Sequence, residues 1–137
     1  MAFTGNYTCD VFKTGLLNGS FNFTSGSFYM ALYTNSATLN ENTTAYTTTG
    51  EVVASGYTAG GNLLAGAAVA ISDNVAYITF NNPLWTAALT ARGALIYKAG
   101  DNGAVCVLDF GADKTSIATF TVQFPTATST SAIIRLS

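Results

Sequence analysis

The sequence predicts an all-β protein, an antiparallel β-sandwich of jelly-roll-like organisation with one short N-terminal helix. About seven to nine short apolar or aromatic segments follow one another at intervals of about ten residues. Clusters of Gly, Asn, Asp and Pro separate these segments, and a single stretch has helical periodicity. With 137 residues the chain is of ordinary size for one core. We therefore expect one domain over residues 1–137, in which residues 1–26 form an N-terminal arm and the short helix.

The helix is predicted directly after the arm. Asp10 is a residue type that caps helices, and Gly19 is a residue type that ends them. Four apolar positions between them are expected on one face, namely Val11, Phe12, Leu16 and Leu17. Such a helix is too short to be stable unless it packs against a larger element.

The first half of the chain after the helix is predicted to contain a strand and a hairpin. Ser27–Thr34 is aromatic and apolar, which predicts a strand. Asn35–Thr49 is polar and predicts a long surface loop or a ragged edge strand, and Gly56–Gly61 predicts a flexible turn. The hairpin joins Leu63–Ser72 to Val75–Phe80 through a turn at Asp73 and Asn74. The apolar run from Leu63 to Ile71 is about half as long as the ~20 residues of a membrane helix and predicts a buried strand. Asn82 and Pro83 end the second strand, since proline has no amide hydrogen for a ladder.

A second hairpin and two further strands complete the predicted fold. Ala91–Ala99 and Gly103–Phe110 flank the strong turn signal Gly-Asp-Asn-Gly. The last strands are Ala118–Phe124 and Ala132–Leu136. In the former, Phe, Val and Phe alternate with Thr, Thr and Gln, which predicts one buried and one solvated face.

The low charge of the chain is its most informative bulk property. Only 9% of the residues are charged, against about 25% in a typical soluble domain. A surface with so few charges is poorly repelled by copies of itself. This composition predicts that much of the surface is covered by neighbouring subunits.

Composition also argues against most catalytic and cofactor sites. The chain has no histidine, which removes Ser-His-Asp and Cys-His catalysis. It has no phosphate-binding glycine motif, and its five basic residues are too scattered for nucleic acid. Asp109 and Asp113 are the one carboxylate pair worth weighing for catalysis, and turn formation explains Asp113 better. We therefore expect no catalytic residues, no cofactor and no metal, and neither a membrane nor a small-molecule substrate as partner.

The remaining polar and reactive residues have structural explanations that compete with functional ones. Calcium at the Asp-Asn turns (Asp73, Asn74, Asp101 and Asn102) is less favoured than turn formation alone. Cys9 and Cys106 are expected to be buried free thiols, because no secretory signal precedes them. Trp85 is expected to close the end of the core rather than to bind a sugar. Arg92, in an apolar strand, is expected to pair with Asp109 or Glu51.

Tyrosines near the long polar loops are the candidate contact residues. Tyrosine offers a large contact area with little rotamer entropy to lose. The candidates in these loops are Tyr33, Tyr46 and Tyr57. About half of them are expected to cover the core instead.

The order of local motifs resembles that of a known group of proteins from Phe12 onward. The motifs are Ala31–Thr34, Ala45–Val52, Gly56–Gly61, Ala91–Tyr97, Leu108–Thr115, Phe124–Thr126 and Ala132–Leu136. In this order they resemble small virion structural proteins of tailed bacteriophages, especially phages of marine bacteria and cyanobacteria.

The resemblance implies a non-enzymatic capsid decoration, or cement, protein. Such a protein would be assembled in the host cytoplasm and would lie on the phage capsid surface. Its partners would be the major capsid protein and copies of itself, with a homotrimer as the expected oligomer. An arm over Ala2–Phe12, with Phe3, Tyr7 and Phe12, would order against the shell, and Tyr46 and Tyr57 complete the predicted interface.

Two other functions remain as alternatives to a capsid decoration protein. The first is a module of a tail fibre or baseplate that binds a host receptor or glycan. The second is a carboxylate-dependent glycan hydrolase, which would require Asp109 or Asp113.

Overall fold

The predicted fold class is confirmed, since the chain is mostly strand, in antiparallel sheets, with one short helix. The structure is a computed structural model that describes residues 3–125, 128 and 131–136. In chain order the elements are β1 (Tyr7–Thr8), α1 (Asp10–Asn18), β2 (Phe28–Tyr33), β3 (Asn62–Leu63), β4 (Ala68–Ser72), β5 (Val75–Thr79), β6 (Leu84–Trp85), β7 (Thr90–Lys98), β8 (Ala104–Thr115), β9 (Phe120–Thr121) and β10 (Ile134–Leu136).

The described strands form three antiparallel sheets. The largest has the order β1-β8-β7-β2-β3, the second has the order β10-β5-β4, and the third pairs β6 with β9. In the centre of the largest sheet, β2 and β7 are almost entirely buried. Strands buried on both faces appear as continuous apolar runs in the sequence, which is why Ala94–Tyr97 shows little alternation.

The helix forms as predicted at its C-terminus but not at its N-terminus. Gly19 ends it in the left-handed conformation, with φ 85°. The predicted cap at Asp10 is wrong: Cys9 is the N-cap, without a side-chain hydrogen bond, and Asp10 is the first helical residue. A carboxylate at that position still interacts favourably with the helix dipole.

The helix is also less amphipathic than predicted. Phe12 is buried, whereas Leu17 is 90% exposed. Neighbouring positions of a helix point about 100° apart, so the side chains of Leu16 and Leu17 have different surroundings. Leu16 packs partly against the core, and Leu17 projects into solvent.

The predicted N-terminal arm is part of the core rather than a free extension. Phe3 is 1% exposed and packs over Gly93, where a Cβ atom would lie 2.5 Å from the Phe3 ring. The side-chain oxygen of Asn6 accepts a 2.6 Å hydrogen bond from the Asp109 amide, and β1 pairs with β8. Met1 and Ala2 of the predicted arm lie outside the described residues.

The first hairpin is present, but its predicted burial is wrong. The turn residues Asp73 and Asn74 have φ of 51° and 65°, and they join β4 to β5. Leu63 belongs instead to β3, which pairs with β2. All residues of β4 are exposed, because this strand lies at the edge of its sheet.

The second hairpin is confirmed, and β8 extends beyond the predicted end to Thr115. The alternation after it is also confirmed: Phe120 and Val122 are buried, and Thr121 is exposed. Only Phe120 and Thr121 of that segment pair as a strand, with β6. The last strand is shorter than predicted and pairs with β5.

Candidate interaction surface

The most unusual feature of the surface is the number of large apolar side chains that remain in water. These exposed residues are Leu17, Val53, Leu63, Val69, Ile71, Leu84, Ile117 and Leu136. Single exposed apolar residues are ordinary in soluble proteins. On a chain with only 9% charged residues, however, little charge separates them.

Two of the exposed residues, Leu17 and Leu136, line one groove, which we call the helix–β10 groove, and a third, Val69, lines a depression beside it. The walls of the groove are α1, at Phe12–Leu17, and the C-terminal segment Ala132–Leu136, and its volume is about 820 Å³. The adjoining depression has a volume of about 110 Å³ and is lined by Phe23, Val69 and Ile78 among others. The two depressions share Phe12, Leu16, Ile134 and Leu136. A groove with such walls can accept apolar side chains of a partner.

The edge strand β4 lies beside this groove. Val69 and Ile71 of β4 are 53% and 74% exposed, and the register places them next to Ile78 and Ala76 of β5. Ile134 and Leu136 of β10 pair with the same two residues from the other side. One face of this small sheet is therefore apolar from edge to edge.

Three predicted interface residues lie in the core of the chain instead. Phe3 and Phe12 are 1% and 2% exposed, and Tyr57 is 8% exposed. Tyr7 is half-buried in β1, and its hydroxyl is 2.5 Å from the hydroxyl oxygen of Thr4. As placed here, Phe3, Phe12 and Tyr57 offer no free surface to a partner.

Tyr46 and Tyr57 are joined by the one buried acidic residue among the described residues, Glu51. Both hydroxyls donate 2.6 Å hydrogen bonds to the Glu51 carboxylate, one to each oxygen. The Gly60 amide donates a third bond, of 2.8 Å. Burial and the hydrogen bond to Glu51 raise the pKa of both tyrosines. This arrangement ties the loop before Glu51 to the turn at Gly60.

Other tyrosines close the same region. The Tyr33 hydroxyl donates to the Thr47 carbonyl at 2.7 Å, and the Tyr97 hydroxyl donates to the Gly60 carbonyl at 2.6 Å. Burial raises the pKa of Tyr97 to about 12. The rings of Tyr46 and Tyr97 stack with their centroids 4.8 Å apart. These tyrosines hold loops to the sheet, and Tyr46 alone among the loop tyrosines is half-buried.

The predicted pairing of Arg92 is confirmed, with Asp109 as the partner. The Arg92 Nε atom is 2.9 Å from an Asp109 carboxylate oxygen, and a second contact of 3.4 Å makes the pair bidentate. The guanidinium group lowers the pKa of Asp109, and the carboxylate raises that of Arg92. Glu51, the other predicted partner, is occupied by hydroxyl and amide donors.

Asp109 and Asp113, the carboxylate pair considered for catalysis, each accept hydrogen bonds from other groups of the fold. Asp109 is held by Arg92 and also accepts a 2.8 Å hydrogen bond from the Gly111 amide. Asp113 accepts a 3.0 Å hydrogen bond from the side-chain amide of Asn35.

The Asp-Asn turns are likewise explained by backbone geometry. Asp73, Asn74 and Asn102 all have positive φ, a conformation that Asn and Asp tolerate better than other side chains. Asp101 accepts a hydrogen bond from the Gly103 amide and faces Lys98 at 3.1 Å. Within the described part of the chain, no three His, Cys, Asp or Glu side chains lie together as a metal site.

Both cysteines are free and buried, as predicted. Cys9 lies opposite Val105 and Cys106 opposite Thr8, and opposed residues of a ladder point to the same side of the sheet. The two thiols therefore point to opposite sides. Burial raises the pKa of Cys9 to about 12 and also raises that of Cys106.

Trp85 closes one end of the core, as predicted, and is 2% exposed. Its ring packs near Tyr57 and Phe120. A depression of about 480 Å³ lies beyond Phe120, lined by Phe110, hydroxyl side chains, Lys114 and Gln123. The indole N–H has no hydrogen-bond partner among the described residues.

Two features of this surface do not follow from the patterns noted in the sequence. The sequence predicts Glu51 only as a partner for Arg92, although a lone acidic residue between two tyrosine-containing loops is a signal for a buried polar network. The exposure of β4 could not be predicted from its sequence, because the same apolar run is typical of a buried strand and of an edge strand.

Comparisons with protein-family models, curated proteins and solved structures give no significant match. No helix among the described residues has the length and apolar character needed to span a membrane.

Proposed function

We propose that this chain is a non-enzymatic structural subunit of a phage virion, and most specifically a capsid decoration protein. In that role it binds the major capsid protein and copies of itself and stabilises the assembled lattice. The main observation in support of this proposal is the set of large apolar side chains that are exposed on a surface with few charges. The order of sequence motifs, which resembles that of small phage virion proteins, supports the proposal that the chain belongs to a virion.

The energetic argument for an assembly role begins with apolar area. Burial of apolar surface contributes about 25 cal/mol per Å², and large apolar patches on soluble proteins mark interaction sites. The helix–β10 groove and the apolar face of β4 concentrate such area at one end of the molecule. Covering these surfaces with protein removes apolar area from water, and Lys13 and Arg135 are the charged residues that line the groove.

The proposal assigns no chemistry to the site residues. The carboxylate of Asp109 is occupied by Arg92, and Asp113 is engaged by Asn35. The Glu51 carboxylate is buried behind three hydrogen-bond donors, where a substrate has no access. These groups hold the fold in place.

Quantification of the protein in purified virions tests the proposal. A decoration protein is expected in a copy number comparable with that of the major capsid protein. A copy number far below it contradicts the decoration role but leaves a tail position open. Absence from mature particles refutes the virion role altogether.

One observation favours the tail-fibre or baseplate alternative. The depression beside Phe110 combines an aromatic ring with hydroxyl and amide side chains, a composition that suits stacking and hydrogen bonding to a sugar. Glycan or host-cell binding by the isolated protein that is lost in Phe110→Ala would favour this alternative. The matched control is Ile117→Ala, a change at an exposed residue outside that depression.

A further inference from the structure

We propose that β4 pairs with β4 of a second copy of this chain, antiparallel, about a twofold axis at Ala70. This contact deepens the proposed function, on which it rests for its biological role, by naming one partner and one surface. The pairing joins two three-stranded sheets into one six-stranded sheet.

The backbone of β4 is free on one side. The turn at Asp73 and Asn74 has positive φ at both residues, which defines a type I′ hairpin. In such a hairpin the flanking pair, Ser72 and Val75, exchanges hydrogen bonds, and bonded and non-bonded pairs then alternate along the register. The N–H and C=O groups of Val69 and Ile71 therefore point away from β5. Among residues 3–125, 128 and 131–136, no strand lies on that side.

This edge lacks the features by which proteins protect an exposed strand. Natural edges carry lysine, proline, an inward-pointing charge or a bulge. The segment Ala68–Ser72 contains no charge and no proline, and its register with β5 is regular. Val69 and Ile71 also keep more than half of their side-chain surface in water. An uncharged apolar edge with free backbone groups is a template for another strand.

A second copy fits this edge because the edge is complementary to itself. With the axis at Ala70, Val69 lies opposite Ile71 of the second copy, and Ile71 lies opposite its Val69. Both residues of each pair direct their N–H and C=O groups towards the other strand, so the two pairs form about four hydrogen bonds. Asp73, the nearest charge, falls opposite Ala67, and no like charges meet.

The side chains extend the same complementarity. Val69 and Ile71 lie on the apolar face that continues through Ile78 to Ile134. Twofold pairing continues this face into the second copy, so that each edge residue packs against an apolar cross-strand neighbour. Isologous contacts of this kind give closed dimers. If the chain forms the expected homotrimer, the same contact joins two trimers about a twofold axis that is distinct from the threefold axis of the trimer.

Lysine substitutions at the edge test the contact. In Val69→Lys and Ile71→Lys the side chain is exposed in the single chain but meets an apolar neighbour in the pair. We expect the native protein to have twice the mass of one chain, or an even multiple, by sedimentation equilibrium. Each lysine variant should weaken association about tenfold or more. Val53→Lys is the matched control, since Val53 is 96% exposed and belongs neither to β4 nor to the lining of the two depressions, and the association of this variant should be unchanged.

A cysteine placed on the axis tests the register. Ala70 faces Ala70 of the second copy in a non-hydrogen-bonded pair, with the Cα atoms about 4.5 Å apart, which is within disulfide range. Mild oxidation should therefore convert Ala70→Cys into a covalent dimer. Ser72→Cys is the control, since two Ser72 residues would lie about 14 Å apart along the strands. The native cysteines are both buried.

The outcomes separate this contact from the proposed function. A native chain that stays monomeric at high concentration refutes the β4 contact, as does equal cross-linking of the two cysteine variants. If that monomer is nevertheless abundant in virions, the decoration role stands without the contact. If the chain dimerises through Ala70 but is absent from virions, the contact stands and the virion role fails. Circular dichroism checks that each lysine variant is folded. If a lysine variant is unfolded, cross-linking of the cysteine variants remains the test of the β4 contact.

Discussion

Replacing Tyr57 by phenylalanine tests whether one buried hydroxyl group connects the loop network to the central sheet. The hydroxyl donates to Glu51 at 2.6 Å and accepts a 2.9 Å hydrogen bond from the Leu32 amide. Strand β3 pairs with β2 only at Tyr29 and Met30. The Tyr57 hydroxyl therefore takes the place of a neighbouring strand at Leu32.

The expected cost follows from these two bonds. A hydrogen bond to a charged group contributes about 1.5–3 kcal/mol, and a buried amide left without a partner costs about 1–3 kcal/mol. The two terms share one hydroxyl and overlap, so we expect Tyr57→Phe to lower the free energy of unfolding by about 2–4 kcal/mol. The ring itself is unchanged, and no cavity is created. Urea denaturation followed by circular dichroism measures the difference.

Two other tyrosines serve as matched controls. Tyr46→Phe also removes a 2.6 Å bond to Glu51, but Tyr46 is half-buried and water can replace its hydroxyl, so the expected loss is about 1 kcal/mol. Tyr29→Phe removes a hydroxyl without a hydrogen-bond partner in the described part of the chain, and its effect should stay within about 0.5 kcal/mol. A loss at Tyr57 no larger than that at Tyr46 would refute the reasoning, because the buried Leu32 amide would then have no special cost.

Three further measurements probe other parts of the fold. The Arg92 guanidinium lowers the pKa of Asp109. The stability that this pair contributes is therefore complete above the ordinary aspartate pKa of about 3.9, and it is lost as the pH falls through the lower pKa of the folded state. Asp109→Asn should be less stable than the native chain at pH 7, and the difference in unfolding free energy should become smaller in acid. A Cβ atom at Gly61 would lie 1.8 Å from the Met30 carbonyl oxygen, whereas a Cβ atom at Gly100 would meet no other atom within 4 Å. Gly61→Ala should therefore abolish the native fold, while Gly100→Ala, also at positive φ, should lower the free energy of unfolding by only about 1–2 kcal/mol. Equal thermal midpoints of the two variants would contradict this prediction. Burial raises the pKa of both cysteine thiols, so neither should react with maleimide at pH 8 until the chain is unfolded, and fast labelling of the native protein would show that the thiols are accessible.

Sequence patterns predicted those parts of the fold that local chemistry determines. The second hairpin was predictable because its turn residues favour positive φ, and Asn102 adopts it. The end of the helix was predictable for the same reason at Gly19. The pairing of Arg92 was predictable because a lone cation within an apolar strand requires a nearby anion.

What could not be predicted depends on contacts between distant segments. Burial of Phe3 follows from its contact with Gly93, about ninety residues further along the chain. The exposure of β4 follows from its place at a sheet edge, which an apolar run does not reveal. The polar network around Glu51 forms only when two loops meet over the sheet. Of the tyrosines predicted as contact residues, Tyr33 and Tyr57 are buried in this region and Tyr46 is half-buried.

The placement of the charges strengthens the argument for assembly through uncharged surfaces. The chain has five basic and seven acidic residues, twelve in all. Six of them form three ion pairs within the described residues, and Glu51 is buried. The field that reaches a partner is therefore weaker than even the low charge content suggests, and electrostatic steering contributes little to recognition. Specificity then depends on shape and on free backbone groups, and β4 with the adjoining helix–β10 groove provides both on one side of the molecule.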